Sequence, residues 1–155
     1  MSGVPGFFIG AEMIWTQLDH FTQDEAWGDP DKINGLLLLL LDALRDRWGR
    51  RFIIHGAWAT DGHSPKSQHY IGNAVDFHID DGEPFSLQIG VMEMLLTEMH
   101  VADHVGLGIY PEWNNPGFHL DVRGEKARWG MFSGKYVGFE EAKAFARMKG
   151  RENEF

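Results

Sequence analysis

The sequence contains no cysteine among its 155 residues. Disulfides, thiolate metal ligands and a cysteine nucleophile are therefore excluded. Positive charge is also scarce, because 14 Lys and Arg stand against 23 Asp and Glu and the net charge is −9. This deficit argues against binding to nucleic-acid phosphates, which depends on clustered Lys and Arg. We therefore expect no nucleic-acid partner.

Long apolar segments are lacking as well. The only long apolar run, residues 36–41, consists of six leucines, whereas a membrane-spanning helix needs about 20 apolar residues. Residues 1–15 have neither the basic start nor the small-residue cleavage site of a secretory signal. From these absences we expect a protein that has no membrane span and is made in the cytoplasm.

Apolar residues form 43% of the chain and aromatic residues 13%. These fractions are typical of a folded domain rather than of a disordered or fibrous chain. A chain of this length buries roughly two thirds of its extended surface, which suffices for a core without crosslinks. Because no linker or internal repeat divides the sequence, we expect a single domain over residues 1–155, present as a monomer.

Helical periodicity is clearest in the leucine-rich segment. Asp29 is a suitable N-cap, and Pro30 suits the first helical position. Apolar residues then recur at helical spacing up to Gly49, which predicts a helix over about residues 30–48. The same criteria predict a short buried strand at 52–54 and further helices at 85–99 and 139–148.

Two segments show the alternation of a half-buried strand. In residues 74–80, apolar side chains alternate with polar ones that include Asp76. In residues 117–122, apolar side chains alternate with His119 and Asp121. These patterns predict an α+β fold, in which helices pack on one face of a small antiparallel sheet and the open face holds a site.

A loop rich in turn-forming residues precedes the first of these strands and brings His69 close to Asp76. Together with His119 they would form a His-Asp-His set, and catalytic zinc sites have such three-ligand sets because one position stays free for water. Bound zinc lowers the pKa of water to about 7 and polarises a carbonyl, so amide hydrolysis would need no covalent nucleophile. Two alternatives remain: His78, which shares a strand face with Asp76, is a rival ligand, or the polar face is simply solvated.

Two motifs in this part of the chain together resemble a known family. The pattern SxHxxGxAxD occupies residues 67–76, and GFHLD occupies residues 117–121. They resemble the M15 family of zinc peptidases, which cleave peptide bonds in bacterial cell-wall peptidoglycan and include D-Ala-D-Ala carboxypeptidases. An HFxxxE segment at residues 20–25 and the stretches 105–111 and 128–129 are also similar to that family, so the resemblance spans about residues 19–130.

The resemblance implies a ligand set and a substrate class. By analogy with the family, His69, Asp76 and His119 bind Zn²⁺. The implied substrates are peptidoglycan peptides.

One family feature is missing. Peptidases of this family usually place an arginine after the first core strand to hold a substrate carboxylate, and this chain has Ala59 there. Without a bidentate guanidinium contact, endopeptidase action or an altered substrate is easier to accommodate than removal of a C-terminal residue. Lys66 and Arg123 are the candidate substitutes for that arginine.

Hydrolysis also needs a carboxylate near the metal to accept a proton from water. Many relatives have Glu or Asp three residues before the last histidine, where this chain has Pro116. The candidates are Asp121, which shares the strand face of His119, and Glu112 on the preceding loop. The alternative role for Asp121 is to orient His119 through the ring nitrogen that does not bind the metal.

Three further histidines and two aromatic residues are interpreted by their position in the sequence. We interpret His63 and His104 as structural or surface histidines. His55 receives the same interpretation, although it lies where a substrate could pass. Tyr110 and Trp113 are close to the second motif and could line a cleft, so these two and His55 are the candidate substrate-binding residues.

The sequence thus predicts a zinc metallopeptidase that hydrolyses amide bonds in peptidoglycan stem or crosslink peptides. Such a protein would be a phage or prophage lytic enzyme, or a bacterial enzyme, that acts on the cell wall after release or export. The alternative is a phage or cell-wall-binding module that keeps the fold and the metal but has lost hydrolysis.

Overall fold

The computed structural model describes residues 13–152, with side chains to residue 150. Most of the segment assessed for a secretory signal, residues 1–12, lies outside the described residues. The three long helices are α1 (Gly35–Trp48), α2 (Phe85–Glu98) and α3 (Phe139–Glu152). The strands are β1 (Arg51–Gly56), β2 (Ala74–Asp80), β3 (Gly106–Tyr110), β4 (Gly117–Asp121), β5 (Ala127–Phe132) and β6 (Lys135–Val137).

The six strands form one sheet in the order β1-β2-β4-β3-β5-β6. All neighbouring pairs are antiparallel except β3 and β5, which are parallel. The parallel pair arises because the chain leaves β4, passes the end of β3 and adds β5 on the far side of β3. The predicted α+β class is confirmed, with a mixed rather than a purely antiparallel sheet.

The apolar core of the protein lies on the face of the sheet that the helices cover. Phe52 and Phe77 are buried there with their rings stacked 5.1 Å apart. The same core cluster includes leucines of α1 and Met92 and Leu96 of α2. Antiparallel register pairs Asp76 with His119 on the other face of the sheet. On that face His119 is only 7% exposed, and the side chain of Asp76 is 19% exposed.

The first long helix begins later than the sequence predicts. Asp29 caps only a short 3-10 turn, Pro30–Lys32, after which the backbone is extended at Ile33. The side chain of Asn34 then accepts a hydrogen bond from the backbone N–H of Leu36 and caps α1. Asparagine is as strong an N-cap as aspartate, and Asn34 rather than Asp29 begins the long helix. No helix in the described part of the chain has the length and apolar character needed to cross a membrane.

Gly72 connects the loop that contains His69 to the start of α1. Its backbone is left-handed, with φ +75°, and its carbonyl accepts a hydrogen bond from the backbone N–H of Asn34. A Cβ atom at this position would collide with the carbonyl oxygen of Lys32. The glycine therefore allows two backbone segments to approach closely, in addition to providing the left-handed conformation.

We expect Gly72→Ala to lower the free energy of unfolding by about 3 kcal/mol. Alanine in the left-handed conformation costs about 1–2 kcal/mol, and the rest of the loss comes from displacing the backbone at Lys32. Gly49→Ala is the matched control, because Gly49 has φ +73° but open space around its Cα. Gly49→Ala should therefore lose only the roughly 1–2 kcal/mol that the left-handed conformation costs an alanine. Urea denaturation of both variants gives the comparison, and equal losses would contradict a steric role for Gly72.

Candidate metal centre

His69 reaches the sheet from a short 3-10 helix, Gln68–Ile71. The hydroxyl of Ser67 caps this helix by accepting a hydrogen bond from the backbone N–H of His69. The imidazole is only 2% exposed, and its Nδ1 lies 2.6 Å from the carbonyl oxygen of Ala57. Because a carbonyl oxygen can only accept, Nδ1 carries a proton, and in the neutral imidazole Nε2 is the nitrogen that is left to bind a metal. This nitrogen faces Asp76, 3.2 Å from Oδ1.

His119 approaches the same carboxylate from the neighbouring strand. Its Nδ1 lies 3.2 Å from Oδ1 of Asp76, its cross-strand partner. One ligand atom from each of His69, Asp76 and His119 lies within 4.8 Å of the others. We call these three residues the triad. The triad could hold a metal ion, since its atoms converge and are largely buried.

The second nitrogen of His119 is held by Asp121. Nε2 of His119 donates to Oδ2 of Asp121 over 2.7 Å. Asp121 is fully buried and also accepts two hydrogen bonds from the Arg123 guanidinium, at 2.8 and 2.7 Å, and one from the backbone N–H of Gly106. A side chain at Gly106 would occupy the space of this carboxylate. Asp121 therefore lies behind His119, with both oxygens engaged.

The triad shifts the pKa of its own members. Burial of Asp76 raises the pKa of its carboxyl, but hydrogen bonds with His119 and His69 outweigh burial and hold the pKa at about 2. Burial lowers the pKa of His119, whereas hydrogen bonds to Asp121 and Asp76 raise it, and the net shift is upward. Asp76 is thus ionised at neutral pH, as a metal ligand must be.

His63 is exposed and is not a member of the triad, as its interpretation as a structural or surface histidine implies, but it lies directly beside the triad. Its ring stacks on the ring of His69 with centroids 4.1 Å apart and planes 16° apart. The hydroxyl of Tyr70 closes this loop by accepting from the backbone N–H of His63 and donating to its carbonyl. Burial lowers the pKa of His63, and its Coulomb interaction with His69 lowers it further. No local sequence pattern signals this placement, because it depends on the path of the loop.

Two clefts meet at the triad. The Lys66 cleft, of about 380 Å³, is lined by the whole triad and by residues that include Lys66, Arg123 and Trp129. The Trp113 cleft, of about 530 Å³, is lined by residues that include His55 and Trp113. Asp76 and His63 line both clefts. A bound chain could therefore extend to either side of the triad.

The predicted substrate-binding residues all line these clefts. Tyr110 lines the Lys66 cleft, and its ring stacks on Trp113 at 4.3 Å. His55 lines the Trp113 cleft, and its Nε2 lies 2.6 Å from Nδ1 of His78. His78, the rival ligand, is therefore paired with His55 and is not a member of the triad. Both candidate substitutes for the missing arginine, Lys66 and Arg123, line the Lys66 cleft.

Glu112 is placed differently from the other candidates. It is exposed, and its carboxylate accepts a hydrogen bond from the backbone N–H of Ser133 in the turn between β5 and β6. It lines neither the Lys66 cleft nor the Trp113 cleft. Glu112 is therefore a less suitable proton acceptor near the triad than its position in the sequence indicates.

Comparisons of this chain with family models, with curated proteins and with solved structures give no match.

Proposed function

We propose that this protein is a zinc-dependent peptidase that hydrolyses amide bonds in peptidoglycan stem or crosslink peptides. The proposal depends most on one observation: the ligand atoms of His69, Asp76 and His119 converge within 4.8 Å beside open clefts. The second ring nitrogen of each histidine is hydrogen-bonded, to Ala57 and to Asp121. Such partners fix the tautomer and orientation of histidines that bind metals.

Zinc is the metal that we assign to the triad. Two imidazoles and one carboxylate suit it, and three protein ligands are typical of zinc sites that act in catalysis. Bound there, zinc would act as a Lewis acid toward a carbonyl oxygen and lower the pKa of water to about 7. The residues around the triad would bind and orient the peptide and accept the proton of the attacking water.

We assign the proton acceptor to His63. Its ring contacts His69 and lines both clefts, so it lies next to any water or amide held at the triad. Asp121 accepts hydrogen bonds on both of its oxygens and lies behind His119, which favours the orienting role. Glu112 is engaged with Ser133 outside the clefts. A neutral imidazole can take a proton from water and return it to the leaving amine.

His63→Gln is expected to lower kcat by about 100-fold, because general-base assistance is worth about 10² or more. Zinc content should stay that of the parent, since His63 is not in the triad. His104→Gln is the control, because His104 is exposed and lines neither cleft. Steady-state rates and metal analysis are the measurements. If His63→Gln kept the kcat of the parent, His63 would not be the proton acceptor.

The assignment of peptidoglycan as substrate rests on the resemblance of residues 67–76 and 117–121 to M15 peptidases. Clefts on both sides of the triad support cleavage within a peptide, since a substrate could be held on both sides of the scissile bond. This arrangement agrees with Ala59 in place of the carboxylate-binding arginine. The enzyme would act on the wall after release or export.

A second candidate is a binding module that retains the fold and the metal without hydrolysis. Ala59 favours it, as does the composition of the two clefts, in which Asp76 is the only carboxylate among the described lining residues. Such a protein would bind wall peptides and release no product.

The deciding experiment incubates the zinc-loaded protein with isolated muropeptides, both single stem peptides and crosslinked dimers. Mass spectrometry then follows newly formed amines and identifies the broken bond. The peptidase proposal predicts products that are absent without metal. Binding of muropeptides with full zinc content and no product from either substrate would favour the binding module, and absence of zinc uptake would reject both.

A further inference from the structure

Tyr110 ends β3 and lines the same cleft as the triad. Its hydroxyl oxygen accepts a hydrogen bond of 2.9 Å from Nε1 of Trp129. The Trp129 ring in turn packs against the ring of His119, with centroids 4.9 Å apart. The Tyr110 hydroxyl is therefore held one aromatic ring away from a triad histidine.

The hydroxyl of Tyr110 accepts one hydrogen bond but donates none within the described residues. An indole N–H can only donate, so the Tyr110 oxygen is the acceptor in this contact. Within the described residues, no protein group accepts a hydrogen bond from the Tyr110 O–H. The hydroxyl thus presents an unused donor to a cleft that is open to a ligand.

The position of this donor is fixed on two sides. The Tyr110 ring lies nearly parallel to Trp113, 10° between planes and 4.3 Å between centroids. The indole of Trp129 can lie close over β3 because residue 108 is glycine, and a Cβ there would be 2.5 Å from Nε1. Burial raises the pKa of Tyr110 to about 12. The hydroxyl therefore keeps its proton at neutral pH.

We propose that the Tyr110 hydroxyl donates a hydrogen bond to the carbonyl oxygen of the scissile amide as negative charge develops on it, and that Trp129 is a positioning residue for Tyr110. This inference rests on the proposed peptidase function. A hydrogen bond from a fixed donor to the carbonyl oxygen is stronger in the transition state, when that oxygen carries negative charge, than in the bound substrate. The effect should therefore fall on kcat rather than on KM.

Tyr110→Phe tests the proposal, because it removes the hydroxyl and keeps the stacked ring. We expect kcat to fall about 100-fold with KM and zinc content unchanged. Tyr136→Phe is the comparison, since Tyr136 lines the same cleft but is 63% exposed and, within the described residues, makes no hydrogen bond with Trp129, so its loss of kcat should be smaller than that of Tyr110→Phe. Trp129→Phe, which removes the N–H donor and part of the ring that packs on His119 but leaves the Tyr110 hydroxyl in place, should give a smaller loss of kcat.

A binding measurement provides a readout that does not depend on turnover. A peptide with a phosphinate in place of the amide identified by mass spectrometry imitates the charged tetrahedral centre. By calorimetry, Tyr110→Phe should bind this peptide at least about 10-fold more weakly, since a hydrogen bond to a charged group is lost. Parent-like affinity and kcat in Tyr110→Phe would overturn the role of Tyr110 and leave the peptidase function intact. Absence of cleavage by the parent would overturn both.

Discussion

His119→Ala is expected to abolish both metal binding and peptide hydrolysis. The triad supplies only three ligand atoms, and the loss of one leaves a carboxylate and a single imidazole. Two ligands are too few for a stable zinc site. The same outcome is expected for His69→Ala and for Asp76→Asn, which keeps the size of the side chain. Any two of these substitutions together should be no worse than one, because the ligands act as a unit.

Three measurements check this expectation. The zinc content measured by metal analysis should fall from about one ion per chain in the parent to nearly none in the variants. Added zinc should stabilise the parent against urea and leave the variants unchanged, because a ligand that binds only the folded chain adds about 4 kcal/mol at 1,000 times its Kd. Removing zinc from the parent with a chelator should abolish its hydrolysis, as the substitutions do, and added zinc should restore the activity. Circular dichroism without metal tests whether each variant still folds.

His78→Ala is the decisive control for the choice of ligands. In the sequence His78 competes with the triad residues, because alternation places it on the strand face of Asp76. In the fold its ring pairs with His55 instead, with 2.6 Å between the nitrogens. This variant should therefore keep the zinc content and the rate of the parent. Loss of zinc from His78→Ala, with retention in His119→Ala, would refute the triad as the metal centre.

The sequence predicts the parts of this site that depend on local pattern. Alternation alone places Asp76 on one face of its strand and His119 on one face of another. The antiparallel register then makes them direct neighbours. The 3-10 helix before Gly72 brings His69 to the same point, as the loop was expected to do. Spacing makes these three positions candidates, because each lies within a few residues of a recognisable strand or turn, but it leaves His78 as a rival, and the full set comes from the resemblance to M15 peptidases.

The missed parts depend on contacts between distant segments. The Ala57 carbonyl that fixes the His69 tautomer is a backbone group, so its role has no side-chain signature. His63 reaches the triad only because Tyr70 closes the loop around it. The parallel pairing of β3 with β5 likewise depends on where the chain crosses after β4. None of these features has a period or motif in one sequence.

Asp121→Ala is expected to lower the free energy of unfolding by about 3–5 kcal/mol, because it leaves a charged partner without its counter-charge. The carboxylate is fully buried and accepts hydrogen bonds from His119, Arg123 and the backbone of Gly106. The donor groups of all three residues would lose that partner. Zinc affinity should also fall about 10- to 100-fold, since His119 would no longer be held in its tautomer. Urea denaturation of the metal-free protein and competitive zinc titration give the two numbers.

Asp80→Ala is the matched control for stability. Asp80 also pairs with an arginine, at 3.0 Å from Arg51, but both side chains are more than half exposed. Exposed pairs of this kind contribute about 1 kcal/mol or less. The comparison also separates the two roles considered for Asp121. A proton acceptor would lose kcat while stability and zinc affinity stayed near those of the parent, whereas a residue that orients His119 must lose all three together. If Asp121→Ala kept the stability of the parent, the orienting role would be wrong and Asp121 would again be a candidate for the general base.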